Sequence, residues 1–353
     1  MYKIKVMIVD DSALVRKTLS DIVEKSAGME LVATAQDPIF AQRKIAKLGW
    51  PDVLLLDIEM PRMDGITFLK TIMEDNPVPV IIISSVAPEG SKNAIDALRL
   101  GAVEVLEKPK YEVRDFLESY SAKLVRIIRS VSTQRVKRAK ESIEVYQKHT
   151  ADVIMSKPSV KNIPTTNKII AIGSSTGGVQ VIENIVVSLT KKSSPILITQ
   201  HMPATFTNSL AKRLDSISEV KVQEAVDGTK IEIGNVYIAP GSHHMMVKRL
   251  GSIYNIVIKD GPRISGHKPS VDILFRSFAS EVGKNAVGII LTGMGDDGAH
   301  GLKEMRDMGA ITYAQNESSC VVYGMPRVAT EIGASQKSLS PLQIIDSLKR
   351  FRG

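Results

Sequence analysis

Apolar and polar positions along the chain fall into two blocks in which short apolar runs alternate with amphipathic segments. A stretch without sustained pattern separates the blocks. In the first block, Lys5–Asp10, Glu30–Ala35, Val53–Asp57, Val78–Ser84 and Val103–Lys108 read as strands. Most are apolar throughout, as parallel strands covered on both faces require. Ala13–Lys25 and Ile66–Glu74 carry the helical period between them. In the second block the strands are Ile169–Gly173, Ile196–His201, Val220–Ala225, Val236–Ala239 and Ala286–Thr292, with a helix over Val179–Leu189. A βα repeat of this kind predicts right-handed crossovers. The fold class is therefore α/β, with two doubly wound, mainly parallel-sheet domains.

The division is 1–122 for the first domain, 123–166 for a connector and 167–353 for the second domain. Val125, Ile128, Val131 and Val136 recur at helical spacing in the connector, among Arg126, Arg129, Arg135, Lys137, Arg138 and Lys140. Pattern then fades through Ser156-Lys157-Pro158-Ser159 and Ile163-Pro164-Thr165-Thr166. Charge sharpens this picture. The chain has a net charge of +8, but residues 1–122 carry −4, residues 123–161 carry +7 and the remainder +5. A connector that is basic yet has no interleaved aromatics and no recognition-helix unit reads as a solvated helix and tether, not a nucleic-acid surface. The single cysteine, Cys320, excludes an internal disulfide framework. No run reaches the ~18 apolar residues of a membrane span. The first residues run straight into a strand, so no signal peptide is expected and the expected location is the cytoplasm.

Ligands of doubly wound sheets sit outside the carboxyl ends of the strands. In the first block those ends carry Asp10 and Asp11, then Asp57, Ser84 and Lys108. Clustered carboxylates repel one another unless a cation is present, and an all-oxygen set suits Mg²⁺. The chemistry permitted is phosphoryl transfer to a carboxylate, with Asp57 attacking and Ser84 and Lys108 holding phosphoryl oxygens. The motifs Val9-Asp10-Asp11-Ser12, Leu56 to Gly65 and Glu107-Lys108-Pro109 make residues 3–121 resemble a response-regulator receiver domain. The resemblance implies a flavodoxin-like fold and phosphorylation of Asp57 by a histidine kinase. It also implies Mg²⁺ held by Asp10, Asp11, Asp57 and the backbone carbonyl of Glu59. Val105 stands where many receivers carry a switch aromatic.

In the second block, Lys168 to Gly178 is an apolar run ending in Gly173-Ser174-Ser175-Thr176-Gly177. That fits a G-x-S-x-G nucleophile elbow centred on Ser175, with the following helix aiming N–H groups at the site of an oxyanion. A serine nucleophile needs a base, and the base an orienting acid. Of His201, His243, His244, His267 and His300, only His201 closes a strand beside the serine. His243 and His244 fall in a loop, and His267 in a polar segment at the surface or a pocket rim. The acid comes from the loop Gly293-Met294-Gly295-Asp296-Asp297-Gly298, where Asp296 and Asp297 are equally placed. That loop also matches G-x-G-x-x-G, but it lies too near the end of the chain for a dinucleotide fold. The order Ser, His, Asp differs from the Ser, Asp, His of ordinary α/β-hydrolases.

Six motifs make residues 168–330 resemble the catalytic domain of chemotaxis protein-glutamate methylesterases. They are Ala171 to Gly178, Thr199 to Pro203, Ile238 to Gly241, Pro269 to Phe275, Leu291 to Gly298 and Val321 to Pro326. The resemblance implies a Rossmann-like α/β esterase domain with Ser175 as nucleophile, His201 as base and Asp297 as orienting acid. Thr176 and Met294 would lie at or near the oxyanion site, and no cofactor would serve the ester chemistry. Implied activities are hydrolysis of glutamyl methyl esters on methyl-accepting chemotaxis receptors, with release of methanol, and deamidation of receptor glutamines. Phosphate at Asp57 would activate the enzyme. Asp296 replaces a frequent asparagine, and Gly266 and Lys268 replace frequent arginines around His267. The rival reading is a response regulator with a nucleic-acid-binding output; another is a general esterase of small molecules.

Overall fold

The computed structural model describes residues 2–85, 88–109, 114–132, 149–159 and 167–351. It divides into two compact units, Met1–Glu141 and Ser142–Gly353.

The first unit runs β1 (Ile4–Val9), α1 (Ala13–Glu24), β2 (Met29–Ala35), α2 (Pro38–Leu48), β3 (Val53–Leu56), α3 (Gly65–Asp75), β4 (Val80–Ser84), α4 (Pro88–Arg99), β5 (Glu104–Glu107) and α5 (Arg114–Ser132). Its strands pair in parallel in the order β2-β1-β3-β4-β5. The central strands β3 and β4 are buried at every position, as their unbroken apolar character requires. Helix starts follow local chemistry. Ser12 caps α1 and Asp64 caps α3 by accepting amide hydrogens two or three residues into the helix. α5 extends into the stretch that the sequence pattern assigns to the connector, because Leu124, Ile127, Ile128 and Val131 are buried in this unit. The basic residues Arg135, Lys137, Arg138 and Lys140, with Val136, lie outside the described residues, as does Ile163-Pro164-Thr165-Thr166.

The second unit runs β6 (Ile169–Ser174), α6 (Gly178–Val187), β7 (Ile196–Gln200), α7 (Ala204–Ile217), β8 (Lys221–Glu224), β9 (Asn235–Ile238), β10 (His244–Leu250), β11 (Ile253–Lys259), α8 (Val271–Glu281), β12 (Ala286–Ile290), α9 (Ala299–Asp307), β13 (Ile311–Gln315), α10 (Met325–Glu331), β14 (Lys337–Leu339) and α11 (Pro341–Leu348). Seven strands form a parallel sheet in the order β14-β13-β12-β6-β7-β9-β8. β6 is central, and the chain reverses direction across the sheet there, which creates a switch point beside its carboxyl end. The antiparallel hairpin β10–β11 is separate from this sheet.

α8 is buried from Val271 to Ser280 and packs against β10, α9 and the sheet. Two of its buried residues are ionisable, and each is matched. Asp272 Oδ1 accepts from the Gly301 amide at 2.8 Å. Arg276 forks onto Glu304 at 2.6 and 2.9 Å and reaches Asp152 at 2.6 Å. Asp152 lies within a short turn, Ala151–Val153, in the segment that precedes β6. That segment is therefore tied to the second unit by a buried guanidinium, which must find carboxylates once it is out of water.

Candidate functional site

The sheet register brings three loops to one edge of the second unit. Ser174 pairs with Gln200 across β6 and β7, and Gly173 pairs with Ile290 across β6 and β12. The ladder continues one step beyond the strands. The His201 amide donates to the Ser174 carbonyl at 2.9 Å, and the Ser175 amide to the Thr292 carbonyl at 3.0 Å. Ser175, His201 and the loop 291–298 are thus fixed at the same height. Ser175 is 7% exposed.

The turn after Ser175 departs from the expected elbow. Among the described residues, the only non-glycine residues with positive φ are Arg62 and Ser265, so Ser175 itself is not held in a strained conformation. Gly177 turns the chain instead, in the left-handed region at φ 77°. A Cβ there would also lie 2.3 Å from Val321. The Gly178 amide closes the turn onto the Ser175 carbonyl at 2.9 Å. Thr176 is buried, and its carbonyl accepts from Thr292 Oγ1 at 3.0 Å. Met294 is half-buried one residue beyond Gly293, where an added Cβ would lie 2.7 Å from the Ser175 Cβ.

His201 Nε2 lies 2.7 Å from Asp297 Oδ2. The carboxylate accepts, so Nε2 carries the proton and Nδ1 is left as the basic nitrogen. Nδ1 is buried without a hydrogen-bond partner. Asp297 is fully buried and takes three more hydrogen bonds, from Ser270 Oγ at 2.7 Å and from the amides of Val271 at 2.7 Å and Asp272 at 3.1 Å. These amides are the free donors of the first turn of α8, where an anion is favoured. Burial pushes the Asp297 carboxyl up, but hydrogen bonding and charge from His201, then His267, and the Val271 amide outweigh it and hold it at about 2. Asp272 goes the other way: burial, then the charge of Asp297, drive it well above the carboxylate range. Two nearby carboxyls therefore divide into one anion and one neutral acid. Asp296 is half-buried, and its carbonyl accepts from the Ala299 amide.

The other histidines separate clearly. His244 opens β10 rather than lying in a loop. It is fully buried, with Nε2 bonded to the Pro262 carbonyl and Nδ1 accepting from the Ser270 amide. Burial lowers its pKa. His243 bonds Ser242, and His300 is exposed. His267 is half-buried, and its ring stacks on His201. Sequence reading also passed over Ser270 and Gln200. Gln200 Nε2 donates to the carbonyls of Ser175 at 2.9 Å and His201 at 3.3 Å, linking the two loops. Ser270 carried a legible signal as the N-cap of α8; its bond to Asp297, 27 residues away in sequence, did not.

In the first unit the same logic gathers the acidic site. The Asp57 amide bonds the Val9 carbonyl at 2.8 Å and the Lys108 amide bonds the Ser84 carbonyl at 2.9 Å, which aligns the strand ends. Asp10, Asp11 and Asp57 present carboxylate oxygens within 4.8 Å of one another. Lys108 Nζ lies 2.7 Å from Asp57 Oδ2 and 3.3 Å from Asp10 Oδ2. Burial is the main force that raises Asp57 to about 6, and it raises Asp10 as well. Asp10 Oδ2 is buried and meets the Lys108 ammonium at ion-pair distance without a well-formed hydrogen bond. A hard dication supplies what this oxygen set needs, so the residues fit Mg²⁺. Ser84 is buried beside them, and Val105 is a buried core residue of β5. Among the described residues no other group of three or more histidine, cysteine or acidic side chains is arranged to hold a metal.

A phosphoacceptor pocket on one parallel sheet and a serine–histidine–aspartate edge on another define a receiver domain coupled to a hydrolase. Residues 6–121 match the response regulator receiver domain, and residues 170–348 match CheB methylesterase. A protein-glutamate methylesterase/protein-glutamine glutaminase of Chromobacterium violaceum is 50% identical over 350 residues, covering 97% of this chain and 98% of that one. One from Geobacter metallireducens is 47% identical over 348 residues, covering 98% of each. The crystal structure of the Thermotoga maritima CheB methylesterase catalytic domain superposes with a TM-score of 0.51 at 38% identity, covering 52% of this chain and 98% of that one. The chain belongs to the CheB methylesterase family. A nucleic-acid-binding output finds no support in these matches. Among the described residues no helix is long and apolar enough to cross a membrane.

Proposed function

We propose that the protein hydrolyses glutamyl methyl esters on the cytoplasmic helices of chemoreceptors and that phosphorylation of Asp57 raises its rate. The observation that carries this reading is the 2.7 Å contact of His201 Nε2 with buried Asp297, one strand from Ser175. Ser175 Oγ attacks the ester carbonyl while His201 Nδ1 takes its proton. Asp297 holds the ring tautomer and stabilises the imidazolium. The tetrahedral adduct expels the methoxy group, which takes the proton from His201 and leaves as methanol. Water then attacks the acyl-enzyme, again giving a proton to His201, and releases glutamate and free Ser175. The same steps with ammonia leaving deamidate receptor glutamines. Thr176 and Met294 border the place where the oxyanion forms. The ester chemistry uses only these side chains and backbone groups.

In the receiver, Asp57 accepts a phosphoryl group from a histidine kinase, with Lys108 and Ser84 at its oxygens. Asp10, Asp11, Asp57 and the Glu59 carbonyl would hold Mg²⁺, which when bound would offset the charge of the phosphoryl group and the carboxylates. Phosphate adds about −1.5 to −2 charge to this pocket. The test is methanol release from methylated receptor membranes, comparing wild type, Ser175→Ala and Asp57→Ala with a phosphodonor present. Ser175→Ala is inactive and Asp57→Ala does not respond to the phosphodonor. Activity surviving in Ser175→Ala overturns the mechanism.

A further inference from the structure

The ring of His267 lies on that of His201 with centroids 3.7 Å apart and planes 4° from parallel. The turn that delivers it is held more firmly than a surface loop requires. Ile264 and His267 exchange both backbone hydrogen bonds, at 2.9 and 2.8 Å, around Ser265 and Gly266. Ser265 has φ +51° and Gly266 φ +84°. A serine in the left-handed region is costly and persists only where its surroundings over-determine it. Here they do. Its amide donates to the His149 carbonyl at 2.9 Å, and its hydroxyl donates to Asp272 Oδ2 at 3.2 Å. Ile264 is fully buried in a small apolar cluster with Ala151 and Ile273. Two separate elements thus hold one turn: the 149–151 segment and α8, the latter through Asp272 and Ile273.

We propose that His267 is a positioning residue for the catalytic base: its ring fixes the plane of the His201 imidazole during acyl transfer. Asp297 constrains His201 only through Nε2, along one bond. Rotation about that direction would turn Nδ1, the nitrogen that has to reach the Ser175 hydroxyl on this reading. A ring stacked face to face removes that freedom. The inference rests on the reading that His201 is the base for Ser175.

The test compares His267→Ala, His267→Leu and His267→Phe in the full chain. It uses methanol release from methylated receptor membranes and the rate at which a fluorophosphonate labels Ser175, which needs an activated serine but no receptor. Phe keeps a flat aromatic face; Leu keeps bulk without one. Ala and Leu lower kcat and the labelling rate together by roughly two- to twelve-fold, the range an aromatic stack supplies, with KM unchanged. Phe restores both. Wild-type labelling in Ala and Leu, or rescue by Leu equal to that by Phe, overturns the proposal. So does a rise in KM for receptors with labelling unchanged, which would make His267 a receptor contact. Labelling that persists in Ser175→Ala instead overturns the underlying assignment of the nucleophile.

Discussion

Replacing Asp297 by asparagine tests how much of the catalytic power rests on one buried charge. Oδ2 accepts from His201 Nε2 and from the Val271 amide, both at 2.7 Å. Oδ1 accepts from Ser270 Oγ at 2.7 Å and the Asp272 amide at 3.1 Å. An asparagine must place its NH₂ at one of these positions, and in either orientation it meets a backbone N–H that can only donate. One buried donor pair is left unmatched, at a cost of about 1–3 kcal/mol in stability. The kinetic effect is larger. An imidazolium and a carboxylate with charge centres about 4 Å apart interact by about 4 kcal/mol at an effective dielectric of ~20, roughly a thousandfold in rate. If the amide NH₂ faces His201, Nε2 must accept, the proton moves to Nδ1 and the base is lost as well. The account therefore expects kcat for methanol release to fall by roughly 10³–10⁴ while the thermal midpoint moves only a few degrees. A variant within about tenfold of wild type would refute the reasoning, because the charge would then not be supporting the transition state.

Other consequences are narrower. Asp57 is raised to about 6 from 3.8, so between these values the folded receiver binds a proton that the unfolded chain releases. In Mg²⁺-free buffer its contribution to stability is fullest below pH 4 and is lost as pH rises to 6, by up to about 3 kcal/mol. Asp57→Asn flattens that dependence of the receiver's unfolding transition; an unchanged slope contradicts it. Gly293→Ala would set a Cβ 2.4 Å from Met325 Sδ and 2.7 Å from the Ser175 Cβ. It should slow fluorophosphonate labelling of Ser175 at least tenfold, and normal labelling would mean that the loop yields without cost. Asp152→Ala removes one of the two carboxylates on buried Arg276. Asp152 is half exposed, so the loss is about 1–2 kcal/mol, read as a lower unfolding midpoint of the second unit; an unchanged midpoint would show that this tie is unimportant.

The strands nearest the site and the chemistry at their ends were readable because buried parallel strands are apolar throughout and their ends must carry the ligands; β13 and β14, only partly buried, were not named from the sequence. The edge at Ser175, His201 and the 291–298 loop follows from that rule alone. Sequence physics left Asp296 and Asp297 level, and the structure shows why. What separates them is the first turn of α8, whose amides and Ser270 converge on Asp297 from more than 20 residues away in sequence. The hairpin was missed although Leu250-Gly251-Ser252-Ile253 is a two-residue turn signal, with Gly251 at φ +64°. His267 sits in a polar segment, and nothing local announces that its ring meets His201. Segment 149–155 looked like tether because its two anchors, Arg276 and Ile264, lie more than 100 residues on. Long-range matching of buried polar groups is what a periodicity pattern omits.

The central claim is that Ser175 carries the glutamyl group during hydrolysis. Rapid quench of the phosphodonor-treated enzyme with a methylated receptor fragment, followed by peptide mass spectrometry, tests it directly. The account predicts a transient acyl adduct on the peptide containing Ser175, formed as methanol appears and absent in Ser175→Ala. Methanol release by Ser175→Ala at the wild-type rate, with no adduct at residue 175 in either protein, would contradict it.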